Sequence, residues 1–283
     1  MNGVHRQAAG FLAPAVLLLL VFTGFPSVYV IWLGLTDASL LAPEAGFVGA
    51  DNYLRVVADA RFWNALWNTV YFTVVSVSVE LALGLGIALL LRHAFRGQGM
   101  MRALVLVPWM VPTVVSARMF EWMYNVEFGV LNYLLGAPVN WLGDPTLAIH
   151  AAIAADVWKM TPFVALLLLA GLQGIPRDLY RAARVDGASA WLMFRRITLP
   201  QLAPLILIVL ILRVIDAFRV FDVVYVLTGG GPGNSTETLS IYAYKILFQT
   251  LDFGYGSALA AVTFALVALI TVGFTLRLRR AWQ

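Results

Sequence analysis

LAPLILIVLILRVIDAFRVFDVVYVL, residues 202–227, is a long apolar run that carries four charged side chains. A membrane-spanning helix needs roughly 20 mainly apolar residues, and this run is long enough. Five further runs of similar character lie at about residues 11–33, 66–91, 101–122, 148–172 and 257–276. Such runs are too long for the strands of a membrane barrel. The predicted fold class is therefore an all-α, polytopic membrane protein with six transmembrane helices.

The composition excludes several other classes of protein. Hydrophobic residues make up 61% of the 283 residues and charged residues 12%, against about 25% charged in soluble domains. A soluble fold must present its outside to water and has no place for so much apolar surface. The absence of cysteine excludes a disulfide framework, a thiolate metal site and a cysteine nucleophile. Basic residues occur in short clusters between apolar runs, which does not indicate nucleic-acid binding.

The distribution of basic residues predicts that both termini lie in the cytoplasm. Only Arg55, Arg61 and Lys245 fall on the opposite side. The predicted cytoplasmic side has Arg6, Arg92, Arg96, Arg102, Arg177, Arg181, Arg184, Arg195, Arg196, Arg277, Arg279 and Arg280. The first apolar run has features of a signal peptide, but it extends to about Leu33 without a clear cleavage site. We expect an uncleaved anchor.

The loop 173–200 between the fourth and fifth apolar runs is the most informative stretch. Pro176 suits the first turn of a helix, and Gly187 offers a positive φ that ends or turns it. We expect a second short helix at 189–197, which Pro200 breaks before the fifth run. By composition alone, this loop is a solvated basic loop that follows the positive-inside rule.

The order of residues in the loop closely resembles the "EAA" loop of binding-protein-dependent ABC importer permeases. Matching positions are Ala182, Ala183, Gly187, Ile197, Leu199 and Pro200, and Asp186-Gly187-Ala188 resembles sugar-type members. Arg181 occupies the usual glutamate position and reverses its charge. The resemblance covers the whole chain, for example Asp156-Val157-Trp158-Lys159-Met160-Thr161-Pro162-Phe163 and Leu227-Thr228-Gly229-Gly230-Gly231-Pro232. It is greatest to maltose-type first permeases, and glycerol-phosphate permeases share much of the pattern.

The resemblance implies a type I ABC importer permease fold with one transmembrane domain over residues 1–283. It implies a second, homologous permease, two ATPase subunits and an extracytoplasmic sugar-binding protein as partners, in the lipid of a bacterial or archaeal inner membrane. ATP and Mg²⁺ are expected on the partner ATPase, since the glycine-rich run 229–236 lacks the Gly-Lys-Ser/Thr of a phosphate loop. We expect no catalytic, cofactor or metal residue in this chain. The predicted ATPase-coupling residues are Tyr180, Arg181, Ala182, Ala183, Asp186, Gly187, Ala188, Phe194 and Pro200.

Charges inside apolar runs are costly and mark a function or a seam between helices. Asp156 and Lys159 lie three residues apart, as do Arg213, Asp216, Arg219 and Asp222 on one drifting stripe. The resemblance implies a substrate path at Asp156, Lys159, Met160, Phe163, Arg213, Asp216, Ala217 and Val220. The alternative is that these charges only pair between helices, Asp156 with Lys159 and Arg219 with Asp216 or Asp222. Glu80 is interpreted as a helix-end or inter-helix polar group.

Two other classes of function compete with an importer permease. An ion-coupled secondary transporter favours internal repeats with matching broken helices, and no convincing repeat is present. A membrane-embedded enzyme needs a nucleophile with a base, or a metal set, at bilayer depth. The three histidines are scattered and form no such set. A sugar is the predicted cargo, with glycerol phosphate or another polar solute as the alternative.

Overall fold

A computed structural model of the chain describes residues 2–42, 45–93 and 95–281, with side chains described between residues 10 and 276. The described residues form helices joined by turns, with three isolated β-bridges and no named strand. Four basic side chains that enter the predicted orientation lie outside the described side chains: Arg6, Arg277, Arg279 and Arg280.

Five helical segments are long and apolar enough to cross a membrane, and one bent pair of helices brings the number to six if it counts as one span. In chain order we call them the first to sixth spans. The single segments are Gly10–Leu33, Ala60–Arg92, Pro145–Gly174, Ala190–Leu227 and Phe253–Leu276, and the bent pair, the third span, is Gln98–Met110 with Thr113–Met123.

The third span is not the single helix that we expected over residues 101–122. Its two helices meet at an angle of 90°. Val111 between them is extended, at φ −71° and ψ 131°. The cause is Pro112, because a proline pushes the residue before it out of the helical region and has no N–H to continue the helix. The bend takes the carbonyl of Val111 out of the regular helix pattern.

Short helices lie outside the spans. Asp51–Ala58 precedes the second span, and Val130–Leu135 lies between the third and fourth spans. Arg177–Val185 follows the fourth span, and Leu239–Phe248 precedes the sixth. The first and fifth spans each contain a π-helical turn, at Leu20–Gly24 and Phe194–Thr198.

The chain divides into two compact units. One comprises residues 1–63 and 242–266, and the other comprises residues 64–241 and 267–283. The single transmembrane domain that we predicted over residues 1–283 stays a prediction.

In the first unit, Asp59 is the acceptor for two tyrosine hydroxyls. Tyr255 donates to its Oδ2 over 2.6 Å, and Tyr242 donates to the same oxygen. Arg61 lies over the Tyr242 ring, 4.6 Å from its centroid. Burial opposes ionisation of Asp59, but these hydrogen bonds and the nearby Arg61 charge outweigh it and hold the pKa of the carboxyl below its usual range. The cluster ties the chain before the second span to the helices around the sixth.

In the second unit, the core is built around the fourth span, Pro145–Gly174. Asp144 caps its start by accepting from the N–H groups of Thr146 and Leu147, over 2.8 and 2.9 Å, and Pro145 suits the first turn. Small buried side chains, among them Ala148, Ala151, Ala152 and Ala155, lie along the span. Small residues let neighbouring helices approach closely in a membrane protein, so this span is the element around which the polar residues are arranged.

Candidate functional site

Glu80 and Arg213 form a buried ion pair between the second and fifth spans. Nε of Arg213 donates to Oε2 of Glu80 over 2.6 Å, and Nη2 donates to Oε1 over 3.0 Å. The two side chains are 0% and 1% exposed. This is the two-pronged geometry in which a planar guanidinium matches a planar carboxylate. Removing one member of such a pair leaves a buried charge without its partner, at a cost of about 3–5 kcal/mol.

Arg213 also holds two aspartates. Its Nη2 donates to Oδ2 of Asp156 over 3.3 Å, and its Nη1 donates to Oδ2 of Asp216 over 2.6 Å. Side-chain exposure rises from 1% at Arg213 to 11% at Asp156 and 45% at Asp216. Asp216 in turn accepts from Nη2 of Arg219 over 3.5 Å, which is one of the pairs that we considered between helices. The cluster therefore runs from the core outward to an accessible surface.

Lys159 does not follow the pairing that we considered for it. Its Nζ donates to the carbonyl oxygen of Val111, at the bend of the third span. Asp156 accepts from Arg213 instead. The bend caused by Pro112 thus supplies the acceptor for a buried lysine on the fourth span.

These groups line a cleft of about 490 Å³ in the second unit. Six predicted substrate-path residues line it: Asp156, Lys159, Met160, Asp216, Ala217 and Val220. Phe163 lies behind the cleft wall, stacked on Trp109 with ring centroids 5.8 Å apart, while Arg213 is buried beneath the aspartates. Lining residues that we had not assigned to the path are Trp109, Thr113, Arg219, Phe221, Asp222 and Val223.

The fifth span is broken where it passes the cleft. Its long helix ends at Phe218, and a new helix, Asp222–Leu227, begins after three residues outside regular helix. The carbonyl of Val220 accepts from Thr238 Oγ1 over 3.2 Å. The helix that we expected to carry one stripe through Asp222 is therefore interrupted after Phe218, although Asp216, Arg219 and Asp222 line the same cleft. Irregular backbone at membrane depth is tolerated where it lines a polar cavity, and Val220 and Phe221 line this one.

The loop 173–200 has the two short helices that we expected, Arg177–Val185 and Ala190–Met193. Between them, Gly187 has a φ of 76°. The N–H of Gly187 donates to the carbonyl of Arg184 over 3.1 Å, and the N–H of Ala188 donates to the carbonyl of Ala183 over 2.9 Å. These two bonds make a Schellman motif, which closes a helix with glycine in the left-handed conformation. The Oγ of Ser189 then caps the next helix through the N–H of Leu192.

Tyr180 is an internal anchor of the loop. Its ring is buried, and its hydroxyl lies 2.9 Å from Oγ1 of Thr198 and 3.0 Å from Nη1 of Arg92. The Arg92 guanidinium also lies over the ring, 4.3 Å from its centroid. The side chains on the accessible face are others: Val185 is 89% exposed and Trp191 68% exposed.

The remaining predicted coupling residues divide by exposure. Arg181, Ala182, Asp186, Gly187 and Pro200 are exposed, and Ala183, Ala188 and Phe194 are half-buried. Arg181 donates to Oδ1 of Asp178 over 3.2 Å, one turn earlier on the same helix.

Pro200 does not break the chain before the fifth span, so that expectation is wrong. The π-helical turn Phe194–Thr198 passes directly into the helix Leu199–Phe218, and the N–H of Leu199 bonds to the carbonyl of Phe194. A proline ring collides with the carbonyl four residues earlier in an α-helix. The wider π turn directly before Pro200 makes room for the ring, so the loop is joined to the span by a continuous helix.

Glu80 is an inter-helix polar group, one of the two interpretations that we gave it, but we did not predict its partner Arg213 or its place in the cluster. Its signal was present, because it is a lone carboxylate inside an apolar run. Its partner lies 133 residues further along the chain, and no local pattern connects the two. Within the described residues, His, Asp and Glu side chains do not gather in a group that could hold a metal ion.

The family model of the binding-protein-dependent transport system inner membrane component matches residues 80–281. The chain is 49% identical over 275 residues to the trehalose/maltose transport system permease protein MalF of Thermococcus litoralis, covering 95% of this chain and 93% of that one. It is 42% identical to the sulfoquinovosyl glycerol transport system permease protein SmoG of Agrobacterium fabrum, covering 95% of this chain and 89% of that one.

Among solved structures, the chain is similar to one from a bacterial alginate ABC transporter in complex with an alginate pentasaccharide-bound periplasmic protein. The TM-score is 0.85 at 22% identity, with 97% of this chain and 94% of that chain covered. At this identity the likeness bears on the fold alone. It confirms the predicted all-α ABC importer permease fold.

Proposed function

Because the chain belongs to the family of binding-protein-dependent transport system inner membrane components, we propose that it is a transmembrane permease subunit of an ATP-driven sugar importer. The relative at 49% identity is a permease of a trehalose/maltose system, and the resemblance that we inferred from the loop motif is confirmed. The observation that carries the proposal is the cleft lined by Asp156, Lys159 and Asp216 between otherwise apolar spans. Charged groups at membrane depth cost free energy and are kept where they contact a polar cargo.

The cleft favours a neutral sugar over an anionic solute. Three carboxylates line it, those of Asp156, Asp216 and Asp222, against the two cations Lys159 and Arg219. Carboxylate oxygens accept hydrogen bonds from hydroxyl groups, and Trp109 offers an aromatic face beside them. A phosphate group entering the cleft would meet an excess of negative charge. Trehalose and maltose therefore fit the cleft better than glycerol phosphate does.

The loop 173–200 is proposed to dock an ATPase subunit from the cytoplasm. Its Schellman motif and the buried Tyr180 make it rigid, and exposed Val185 and Trp191 give it an apolar contact surface. In this proposal the complex has two copies of the ATPase subunit, and these subunits bind ATP and Mg²⁺. In this proposal a second permease completes the pore, and an extracytoplasmic binding protein delivers the sugar. The spans lie in the inner membrane, and both termini lie in the cytoplasm.

Uptake by the reconstituted complex tests the proposal. The chain is co-expressed with a second permease, an ATPase and a sugar-binding protein from the same organism, and the complex is placed in proteoliposomes. We expect ATP-dependent uptake of radiolabelled trehalose or maltose and none of glycerol phosphate. Uptake without ATP, or of glycerol phosphate only, would contradict the proposal. Asp156→Ala is expected to reduce sugar uptake without loss of the partner subunits. Glu121→Gln, which changes a half-buried carboxylate outside the cleft, is the control.

A further inference from the structure

The buried pair Glu80–Arg213 lies behind the cleft and does not line it. Glu80 is on the second span and Arg213 on the fifth, and both are almost fully buried. The two aspartates that Arg213 contacts do line the cleft. The pair is therefore placed to act on the cleft through Asp156 and Asp216.

The donors of Arg213 are nearly all in use. A guanidinium has five N–H groups. Four hydrogen bonds run from Arg213 to carboxylates, two to Glu80, one to Asp156 and one to Asp216. Each aspartate gives only its Oδ2 to the arginine. The arginine therefore fixes Oδ2 of each aspartate. Oδ1 of each lies outside this contact, and Oδ1 of Asp216 also accepts the longer bond of 3.5 Å from Arg219, which leaves it a second lone pair for a hydroxyl group.

The hydrogen bonds of Arg213 indicate what the third carboxylate, that of Glu80, does behind the arginine. Glu80 accepts two of the four hydrogen bonds from Arg213, so the guanidinium gives only one hydrogen bond to each aspartate. Without Glu80, a single buried cation would be shared by the two aspartates alone and would draw both of them inward. The two-pronged pair also prevents the guanidinium from turning, because two parallel hydrogen bonds fix its plane.

We propose that Glu80 and Arg213 are positioning residues, which hold the Asp156 and Asp216 carboxylates so that their remaining oxygens accept hydroxyl groups of the sugar. The inference rests on the proposed function of the cleft. It assigns a role in transport to a carboxylate that touches no part of the cleft wall. The competing role is structural: the pair only joins two helices.

The first test is Glu80→Gln in the full complex in proteoliposomes, with saturating sugar-loaded binding protein. The amide keeps the size of the side chain but not its charge. We expect sugar uptake to fall about tenfold, the effect of one charge-assisted hydrogen bond, while ATP hydrolysis stays within about twofold of the wild type. A structural role would reduce uptake, ATP hydrolysis and subunit assembly together. Equal uptake in variant and wild type would overturn the proposal.

The second test exchanges the pair as Glu80→Arg with Arg213→Glu. This variant keeps a buried pair between the two spans but removes the arginine from its place beside the aspartates. We expect subunit assembly and ATP hydrolysis close to those of the wild type, while sugar uptake is as low as in Glu80→Gln. Recovery of uptake to the wild-type rate would show that joining the helices is the only role of the pair. Glu121→Gln, at an ion pair with Arg118 away from the cleft, is the control and is expected to transport normally.

A labelling measurement separates this proposal from the proposed function. The chain has no cysteine, so Met160→Cys places a single thiol in the cleft wall. We expect a neutral maleimide to label this thiol at least threefold faster when Glu80→Gln is added, because the two aspartates are then drawn inward, out of the cleft. If the wild-type complex takes up neither trehalose nor maltose, the proposed function fails, and this labelling rate still decides the positioning role. Equal labelling rates would refute it.

Discussion

Replacing Tyr180 by Phe removes one hydroxyl and leaves the ring in place. In the native loop this oxygen accepts from Arg92, which can only donate, and is therefore free to donate to Thr198. Thr198 is buried and Arg92 is half-buried. The bond to Thr198 is worth about 1 kcal/mol, and the bond to the partly exposed arginine adds a similar amount. The substitution is therefore expected to lower the free energy of local opening of the loop by about 2 kcal/mol.

Hydrogen exchange measures this opening directly. The N–H groups of Asp186, Gly187 and Ala188 are bonded within the loop, so their exchange reports its local unfolding. A loss of about 2 kcal/mol corresponds to about 30-fold faster exchange. We expect this acceleration in the loop and unchanged exchange in the fourth span. Arg181→Ala is the control, because an exposed ion pair contributes about 0–1 kcal/mol. Exchange in Tyr180→Phe equal to the wild-type rate would refute the reasoning that the hydroxyl anchors the loop.

Three further predictions concern single positions. Gly187→Ala is expected to destabilise the loop by about 1 kcal/mol, measured as about fivefold faster hydrogen exchange in the loop. Nothing lies within 4 Å of the added Cβ, so the cost comes from the positive φ alone. An unchanged exchange rate would contradict this prediction. Asp59 has a lowered pKa in the folded chain, so its contribution to stability is complete above about pH 4 and is lost as the pH falls through the pKa of the folded state. In thermal unfolding, Asp59→Asn should therefore lose less stability on acidification than the wild type. Identical pH profiles would argue against a stabilising role of the bond from Tyr242. A thiol at position 185 should react with an impermeant maleimide only from the cytoplasm, and one at position 133 only from outside; both Val185 and Tyr133 are strongly exposed, and the reverse pattern would overturn the orientation.

The helices were predictable from the sequence because their signals are local. The length of the apolar runs identifies the spans. Gly187 identifies the end of the first loop helix, because a helix often ends at a glycine with a positive φ. The two errors at prolines have a common cause. Pro112 bends its span, while Pro200 lies within a continuous helix, and the difference is a π turn that no residue pattern announces. A proline in a sequence shows that the backbone must adjust, but the neighbouring turns determine how.

The charges of the site were visible in the sequence, but their partners were not. Spacing on one helix suggested that Asp156 pairs with Lys159, since residues three apart share a face. In the structure, Asp156 bonds to Arg213 on another span, and Lys159 bonds to a carbonyl freed by a bend. Both contacts depend on how distant segments pack, and the partner of Glu80 could not be predicted for the same reason. In a bundle of helices, the partners of a charged side chain depend on which helix faces pack together. A single sequence does not contain that information.

The arginine at position 181, where permeases of this kind usually have glutamate, is compatible with an intact loop. Its side chain is exposed and pairs with Asp178 on the same helix, a contact worth at most about 1 kcal/mol. The geometry of the loop depends instead on the buried Tyr180, the left-handed Gly187 and the cap at Ser189. Reversing the charge at residue 181 therefore leaves the shape of the loop unchanged and alters only the surface that it presents. If the loop docks an ATPase as proposed, that subunit faces an exposed arginine at this point, and we expect an acidic residue on its side of the contact in addition to Asp178 of this chain.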